Sequence, residues 1–365
     1  MTLRLRATEL RWWCAISGVL LVGGILAGST VGGITVIVVM GLAVVNVVRG
    51  IRAHQPADAL PWRLLLVGVM LFFLASGVAG GLALFTNGPV PYPSPADLAN
   101  ATGYLICIGA GVVFVRHRSR RSDPTSLIDA GIVTGGVAAR AWVFVIVPDL
   151  QDTASSALGR GTNVVFDLLS MVLVAIVVRL ALGPGARNAS WYWLASAVAA
   201  ALTSDLLLAV WSKSGSGGTL VAVSNGLAGW SCVSVAAAAL HPAMGRLTEQ
   251  VDEAIAPMSR ARLVTMIGSV LVAPVILLLR SSGTSFVFTM GVVVVWGGVC
   301  ALIILRMGGL VRARERMAST EAIVRRAGSA MVVATERSQI HDAACEAARQ
   351  LMVAAGSAGR AFIGL

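Results

Sequence analysis

Residues 64–85 read LLLVGVMLFFLASGVAGGLALF, a run of 22 residues without a charged side chain. A helix needs about 20 mostly apolar residues to cross the hydrocarbon core of a membrane. The rest of the chain contains nine more stretches of this kind, so the sequence predicts ten membrane-spanning helices. Their approximate bounds are 12–29, 31–48, 62–85, 95–115, 127–147, 163–182, 191–211, 219–240, 262–280 and 286–306. The first two are predicted to be joined by a tight turn at residues 30–33.

The composition of the whole chain supports this interpretation. Of its 365 residues, 57% are hydrophobic and 12% are charged, whereas soluble domains carry about a quarter charged residues. This excludes an ordinary soluble enzyme and a disordered chain, and predicts an all-α polytopic membrane protein. Five cysteines without a CxxC pair and four scattered histidines predict neither disulfides nor a metal site. No cofactor is expected.

Basic residues indicate the orientation of the predicted spans. With ten spans, 24 of the 28 lysines and arginines fall on one side of the membrane, and only Arg160, Lys213 and Arg280 fall on the other. Cytoplasmic loops carry the excess of positive charge in membrane proteins. Both termini are therefore predicted to be cytoplasmic, in the cell (plasma) membrane. The net charge of +11 is attributed to contact with an anionic inner leaflet, and no nucleic acid partner is expected.

Four polar side chains interrupt four consecutive spans at similar depth in the outer half of the membrane: Arg140, Asp167, Asp205 and Asn225. An ionisable residue within a span costs about 2.5–3.5 kcal/mol on insertion scales and is a candidate for function. One hypothesis is an outward-facing ligand- or proton-sensing pocket. The alternatives are a structural ion pair, in which Arg140 and one aspartate only make insertion tolerable, and a transport pathway. Asp167 is the expected partner of Arg140, and Asp205 is the alternative partner.

After the last span, residues 307–337 show a heptad pattern. Apolar residues recur every seven positions at Leu310, Met317, Val324 and Met331, with small residues three positions further on. This spacing is typical of a coiled-coil seam and predicts a parallel homodimer through a cytoplasmic linker helix. The alternative is a single amphipathic helix lying on anionic lipid.

The predicted organisation has four parts. Residues 1–11 form a basic cytoplasmic tail, residues 12–306 the transmembrane domain, residues 307–337 the linker helix, and residues 338–365 the start of a further domain. Within this last part, a helical stripe is followed by residues 361–365, which have the pattern of a first strand. An isolated strand has no pairing partner, so the sequence is expected to be the front of a longer protein or a truncated gene product.

Three short motifs carry a resemblance to a known family: PSPADL at residues 93–98, SLIDAGIV at residues 126–133 and LHPAMGRLTE at residues 240–249. With them, residues 60–365 resemble the multi-pass membrane sensory region of actinobacterial diguanylate cyclase/phosphodiesterase (GGDEF/EAL) proteins. Residues 336–365 are similar to the start of a GAF domain, an α/β relay module of that family.

The resemblance implies a membrane-embedded input region that controls cyclic di-GMP turnover through a cytoplasmic helix. The chain itself has no GGDEF loop, no EAL-type carboxylate set, and no P-loop, G-x-S-x-G or H-E-x-x-H motif. Such loops and carboxylates hold phosphates, metals or nucleophiles, so no enzymatic turnover is expected from this chain alone. Three other interpretations stay open: a ten-helix small-molecule transporter of the drug/metabolite exporter type, the membrane region of a sensor histidine kinase, and a plain structural membrane protein.

Overall fold

The computed structural model describes residues 2–86, 92–118, 124–142, 146–147, 156–182, 188–214, 218–248, 268, 271, 286–333 and 337–354. These residues form helices, turns and short connections, and no strand occurs among them. The helices are α1 (Thr2–Leu26), α2 (Ser29–His54), α3 (Leu60–Thr86), α4 (Pro95–Arg118), α5 (Pro124–Ala141), α6 (Ala157–Leu182), α7 (Ala189–Ser214), α8 (Gly218–Leu240), α9 (Phe286–Val333) and α10 (Arg337–Ala354). A 3-10 helix, Pro242–Leu247, follows α8.

Eight of these helices are long and apolar enough to cross a membrane, namely α1–α4 and α6–α9. The chain is therefore an all-α, multi-pass membrane protein, as its composition predicts. The fifth predicted span corresponds to α5, which has 18 residues and is not among the eight. The ninth, 262–280, lies outside the described residues apart from 268 and 271. The strand predicted at 361–365 also lies outside them.

The connection between the first two helices differs from the sequence prediction. We expected a turn at residues 30–33, but α1 ends at Leu26 and α2 already begins at Ser29. Gly28 has φ +98°, a conformation that glycine adopts without steric cost. The chain therefore reverses at Gly28, and residues 30–33 extend α2.

Helix α8 is the centre of the core. Every residue from Cys232 to Leu240 is buried, and Ala236–Ala239 have no exposed surface. Small residues allow neighbouring backbones to approach closely in membrane proteins, and α8 packs against α1, α2 and α7. Two side chains also donate hydrogen bonds to its carbonyls: Ser190 to Ala238 at 2.8 Å and Trp13 to Val233 at 3.2 Å.

The chain divides into two compact units, residues 1–300 and residues 301–365, and the boundary falls within α9. In the first unit, Val292 and Val299 of α9 are buried, and Gly135 of α5 lies against Val299. The second unit contains the remainder of α9 and the shorter helix α10.

Candidate functional site

A hydrogen-bonded carboxylate joins three helices of the first unit. Asp205 of α7 accepts hydrogen bonds from the hydroxyls of Tyr104 in α4 and Ser170 in α6, both at 2.9 Å to Oδ2. Tyr104 and Ser170 are themselves buried. The three residues come from three different candidate spans. The packing of those helices therefore depends on whether the carboxyl group of Asp205 accepts both hydrogen bonds.

Aromatic rings surround the tyrosine of this cluster. The ring of Tyr104 makes edge contacts with Phe72, at a centroid distance of 5.4 Å, and with Phe166, at 6.0 Å. Aromatic neighbours lower the local dielectric and strengthen the hydrogen bonds, but a low dielectric also raises the cost of burying a negative charge. The arrangement can therefore bind a proton or a cationic group at Asp205, with the two hydroxyls adjusting their hydrogen bonds.

The other predicted site residues occupy different positions relative to this cluster. Asp167 is partly buried and lies one turn before Ser170 on α6. Asn225 is partly buried on α8, beside Ser224, whose hydroxyl is 3.0 Å from that of Ser204 on α7. Helix α7 therefore contacts α6 through Asp205 and Ser170 and contacts α8 through Ser204 and Ser224, while the hydrogen bonds of Asp205 go to Tyr104 and Ser170.

Arg140 lies near the end of α5, and its side chain is outside the described part of the structure. The proposed ion pair between Arg140 and Asp167 therefore stays a prediction. The same holds for two of the four predicted seam residues, since the side chains of Leu310 and Met317 are not described. Val324 is 56% exposed and Met331 is partly buried.

Sequence reasoning missed Tyr104 and Ser170. Hydroxyl side chains are common in membrane helices, so they do not stand out in a predicted span as ionisable side chains do. One signal was available: the chain has only three tyrosines, and one of them falls in the middle of a predicted span. A tyrosine buried in a membrane needs an acceptor for its hydroxyl, and a carboxylate on another span can supply it.

The C-terminal end of α8 leads into the third sequence motif, residues 240–249, whose first residues form hydrogen bonds at this helix end. His54 of α2 donates from Nε2 to the carbonyl of Leu240 at 3.0 Å, since a carbonyl can only accept. His241 caps the 3-10 helix by accepting from the backbone N–H of Ala243. Burial lowers the pKa of His241, and the nearby His54 lowers it further. Met244 and Leu247, both in this 3-10 helix, are buried.

Metal binding and disulfide bonds depend on the histidine, cysteine and carboxylate side chains of the described residues. No group of three or more histidine, cysteine, aspartate or glutamate side chains is placed to hold a metal ion within the ranges that the structure describes. All five cysteines are free thiols. Comparisons with protein-family models, curated proteins and solved structures find no match for this chain.

Proposed function

We propose that this chain is a membrane-embedded sensory region that relays a signal through its last long helix to a cytoplasmic output module. The observation that carries the proposal is the continuity of α9, which runs from Phe286 to Val333 as one helix of 48 residues. It contains the candidate span Thr289–Gly309 and continues for about 36 Å beyond Gly309, at 1.5 Å per residue. A continuous helix carries a rotation or displacement from the membrane to whatever follows it.

The part of α9 beyond the membrane suits a helix that pairs with another copy. Val324, one of the predicted seam residues, is 56% exposed. An exposed apolar side chain at a seam position of a polar helix leaves an apolar surface for a partner helix. The heptad spacing of Leu310, Met317, Val324 and Met331 assigns that surface to a parallel homodimer. In this arrangement the signal is a change in the packing of two helices.

Cysteine cross-linking tests the homodimer. In the chain with its five native cysteines replaced, Val324→Cys is expected to form an interchain disulfide when an added oxidant such as Cu²⁺-phenanthroline acts on isolated native membranes, because a seam residue faces its copy across the dimer axis. The matched control is Arg325→Cys, the next residue along, which is also exposed but lies off the seam. Equal cross-linking at the two positions would contradict a specific seam and leave a helix that contacts lipid or solvent on all sides.

The finer topology belongs to the same proposal: ten spans, with both termini on the cytoplasmic side of the plasma membrane. The asymmetric distribution of lysine and arginine supports it. The two spans additional to α1–α4 and α6–α9 are α5 and the segment 262–280. The inner face of the membrane is then rich in arginine and meets anionic lipid.

Reporter fusions test this topology. We expect alkaline phosphatase activity, which needs the outer side, for fusions after residues 90, 155 and 215. Fluorescent-protein signal, which needs the inner side, is expected after residues 55, 120, 185 and 250. The fusions after 155 and 185 are decisive for α5, because they exchange sides if that helix does not cross. Two or more fusions reporting the opposite side would overturn the ten-span topology.

The output module that this proposal implies is of the cyclic di-GMP type. The support is the resemblance of residues 60–365 to the sensory regions of GGDEF/EAL proteins, and of residues 336–365 to the start of a GAF domain. Helix α10 (Arg337–Ala354) is the first helix of that GAF-like start. In this proposal the chain senses a stimulus and relays the signal, and the chemistry on nucleotides belongs to the output module.

A further inference from the structure

A cavity of about 380 Å³ lies where α1 begins and where α2 and α8 end. It is lined by Glu9, Arg49, Arg52, Ala53, His54 and Leu240. Small-ligand sites in proteins have volumes of roughly 300–1,000 Å³, so the cavity can hold a polar headgroup. Its position at the ends of three candidate spans puts it at the level of the membrane surface.

Most of the polar groups around the cavity are already engaged with the protein. The guanidinium of Arg49 donates to Glu9 at 3.2 Å and to Asn46 at 3.3 Å. Carbonyl groups at the C-terminal ends of helices repel anions. Two of these carbonyls are already hydrogen-bonded: His54 donates to the carbonyl of Leu240, and the backbone N–H of Gln55 donates to the carbonyl of Ile51. These bonds fix the walls and reduce the negative potential of the helix ends.

Arg52 is the exception. It is exposed, and it makes no ion pair or side-chain hydrogen bond with any residue in the described part of the chain. Arg52 follows Arg49 by three positions, so the two side chains lie on the same face of α2. Because Glu9 balances Arg49, Arg52 gives the lining a net positive charge. A guanidinium presents a planar fork of donors that matches the oxygens of a phosphate group.

An exposed apolar surface leads from the cavity toward the middle of the membrane. Trp12 and Ile16 lie three and seven residues after Glu9 on α1, and Val45 lies four residues before Arg49 on α2. All three side chains are exposed, and these spacings put them on the cavity side of their helices. Tryptophan at this depth is typical of the membrane interface. Acyl chains fit this surface, whereas a free phosphate ion would leave it unused.

We propose that this cavity is a binding site for the phosphate group of an anionic phospholipid. Arg52 contacts the phosphate, the pair of Glu9 and Arg49 shapes the wall, and the acyl chains lie along Trp12, Ile16 and Val45. The site stands apart from the relay proposal, since it involves only α1, α2 and α8.

The test uses the full chain in neutral detergent, with thermal stability followed during titration with phosphatidylglycerol, phosphatidylcholine or inorganic phosphate. Phosphatidylglycerol is expected to raise the melting temperature of the wild-type protein, and the other two are not. Arg52→Gln should weaken the apparent affinity for phosphatidylglycerol about tenfold, since the variant loses a charge-assisted hydrogen bond to the phosphate. Arg63→Gln is the matched control, because Arg63 is exposed at the start of α3 and does not line the cavity.

Arg52→Lys keeps the charge but loses the fork, and is expected to give an intermediate affinity. Native mass spectrometry should detect one retained phosphatidylglycerol per wild-type chain and fewer in Arg52→Gln. Equal weakening in Arg52→Gln and Arg63→Gln would overturn the proposal in favour of non-specific surface charge, and so would an unchanged affinity in Arg52→Gln. Stabilisation by inorganic phosphate alone, with the same dependence on Arg52, would overturn the lipid assignment.

Discussion

Replacing Gly50 by alanine is expected to destabilise the membrane domain by about 3 kcal/mol, the upper part of the range for an overpacked core. A Cβ atom at Gly50 would lie 2.6 Å from the carbonyl carbon of Ala239 and 3.1 Å from its Cβ. Both neighbours belong to the backbone or are fixed to it, so no side-chain rotation can relieve the overlap. Helices α2 and α8 would have to separate at the most deeply buried part of the structure.

The control for this substitution lies on the same helix. A Cβ at Gly33 would meet nothing within 4 Å, and alanine favours a helix over glycine by about 0.8–1.0 kcal/mol. Gly33→Ala is therefore expected to leave the melting temperature in detergent unchanged or to raise it. If Gly50→Ala were as stable as Gly33→Ala, the close packing of α2 on α8 would be wrong.

The second large effect concerns the carboxylate at the centre of the candidate site. Asp205→Ala would leave the hydroxyls of Tyr104 and Ser170 without their shared acceptor. An unsatisfied buried polar group costs about 1–3 kcal/mol, so the expected loss is about 2–6 kcal/mol for the two. Asp205→Asn keeps an oxygen acceptor of nearly the same shape and is expected to cost less than about 1 kcal/mol.

The difference between the two substitutions is the informative quantity. It is measured as the shift in melting temperature of the full chain in one detergent, with Tyr104→Phe as a third variant. That variant removes one of the two donors and should fall between the others. If Asp205→Ala and Asp205→Asn were equally destabilised, the negative charge of Asp205 would matter more than its hydrogen bonds, and a cationic partner would have to be sought.

The sequence was a good guide to the helices and a weaker guide to their packing. Long uncharged runs such as 64–85 can do little except cross a membrane, because a bilayer satisfies no exposed backbone group. By contrast, nothing in hydropathy distinguishes the buried α8 from helices that face lipid. Its signal is the run of small residues Ala236–Ala239, which allows other helices to pack against it from several directions.

The candidate site shows the same contrast between what the sequence predicts and what depends on the packing of the helices. Asp205 was identified from the sequence because an ionisable residue in a span is costly. Its partners Tyr104 and Ser170 depend on which helices meet and in what register, and a single sequence does not reveal this. The turn at Gly28 was misplaced for a related reason: several glycines and small residues lie nearby, and only the backbone conformation identifies the one that reverses the chain.

The central claim, that the membrane region relays a signal through α9, is tested most directly by phased insertions. Residues 1–365 are fused to a diguanylate cyclase output domain, and one to seven alanines are inserted after Glu321, an exposed residue of α9. Cyclic di-GMP is measured in cells, with the same insertions placed after residue 365 as controls. We expect output to change strongly for insertions of two or five residues, which turn the seam by about 200° and about 140° toward the opposite face, and to stay near its original level at seven, where the rotation is only about 20°. Output that is unaffected by insertion, or that falls steadily with length in both positions, would contradict the relay.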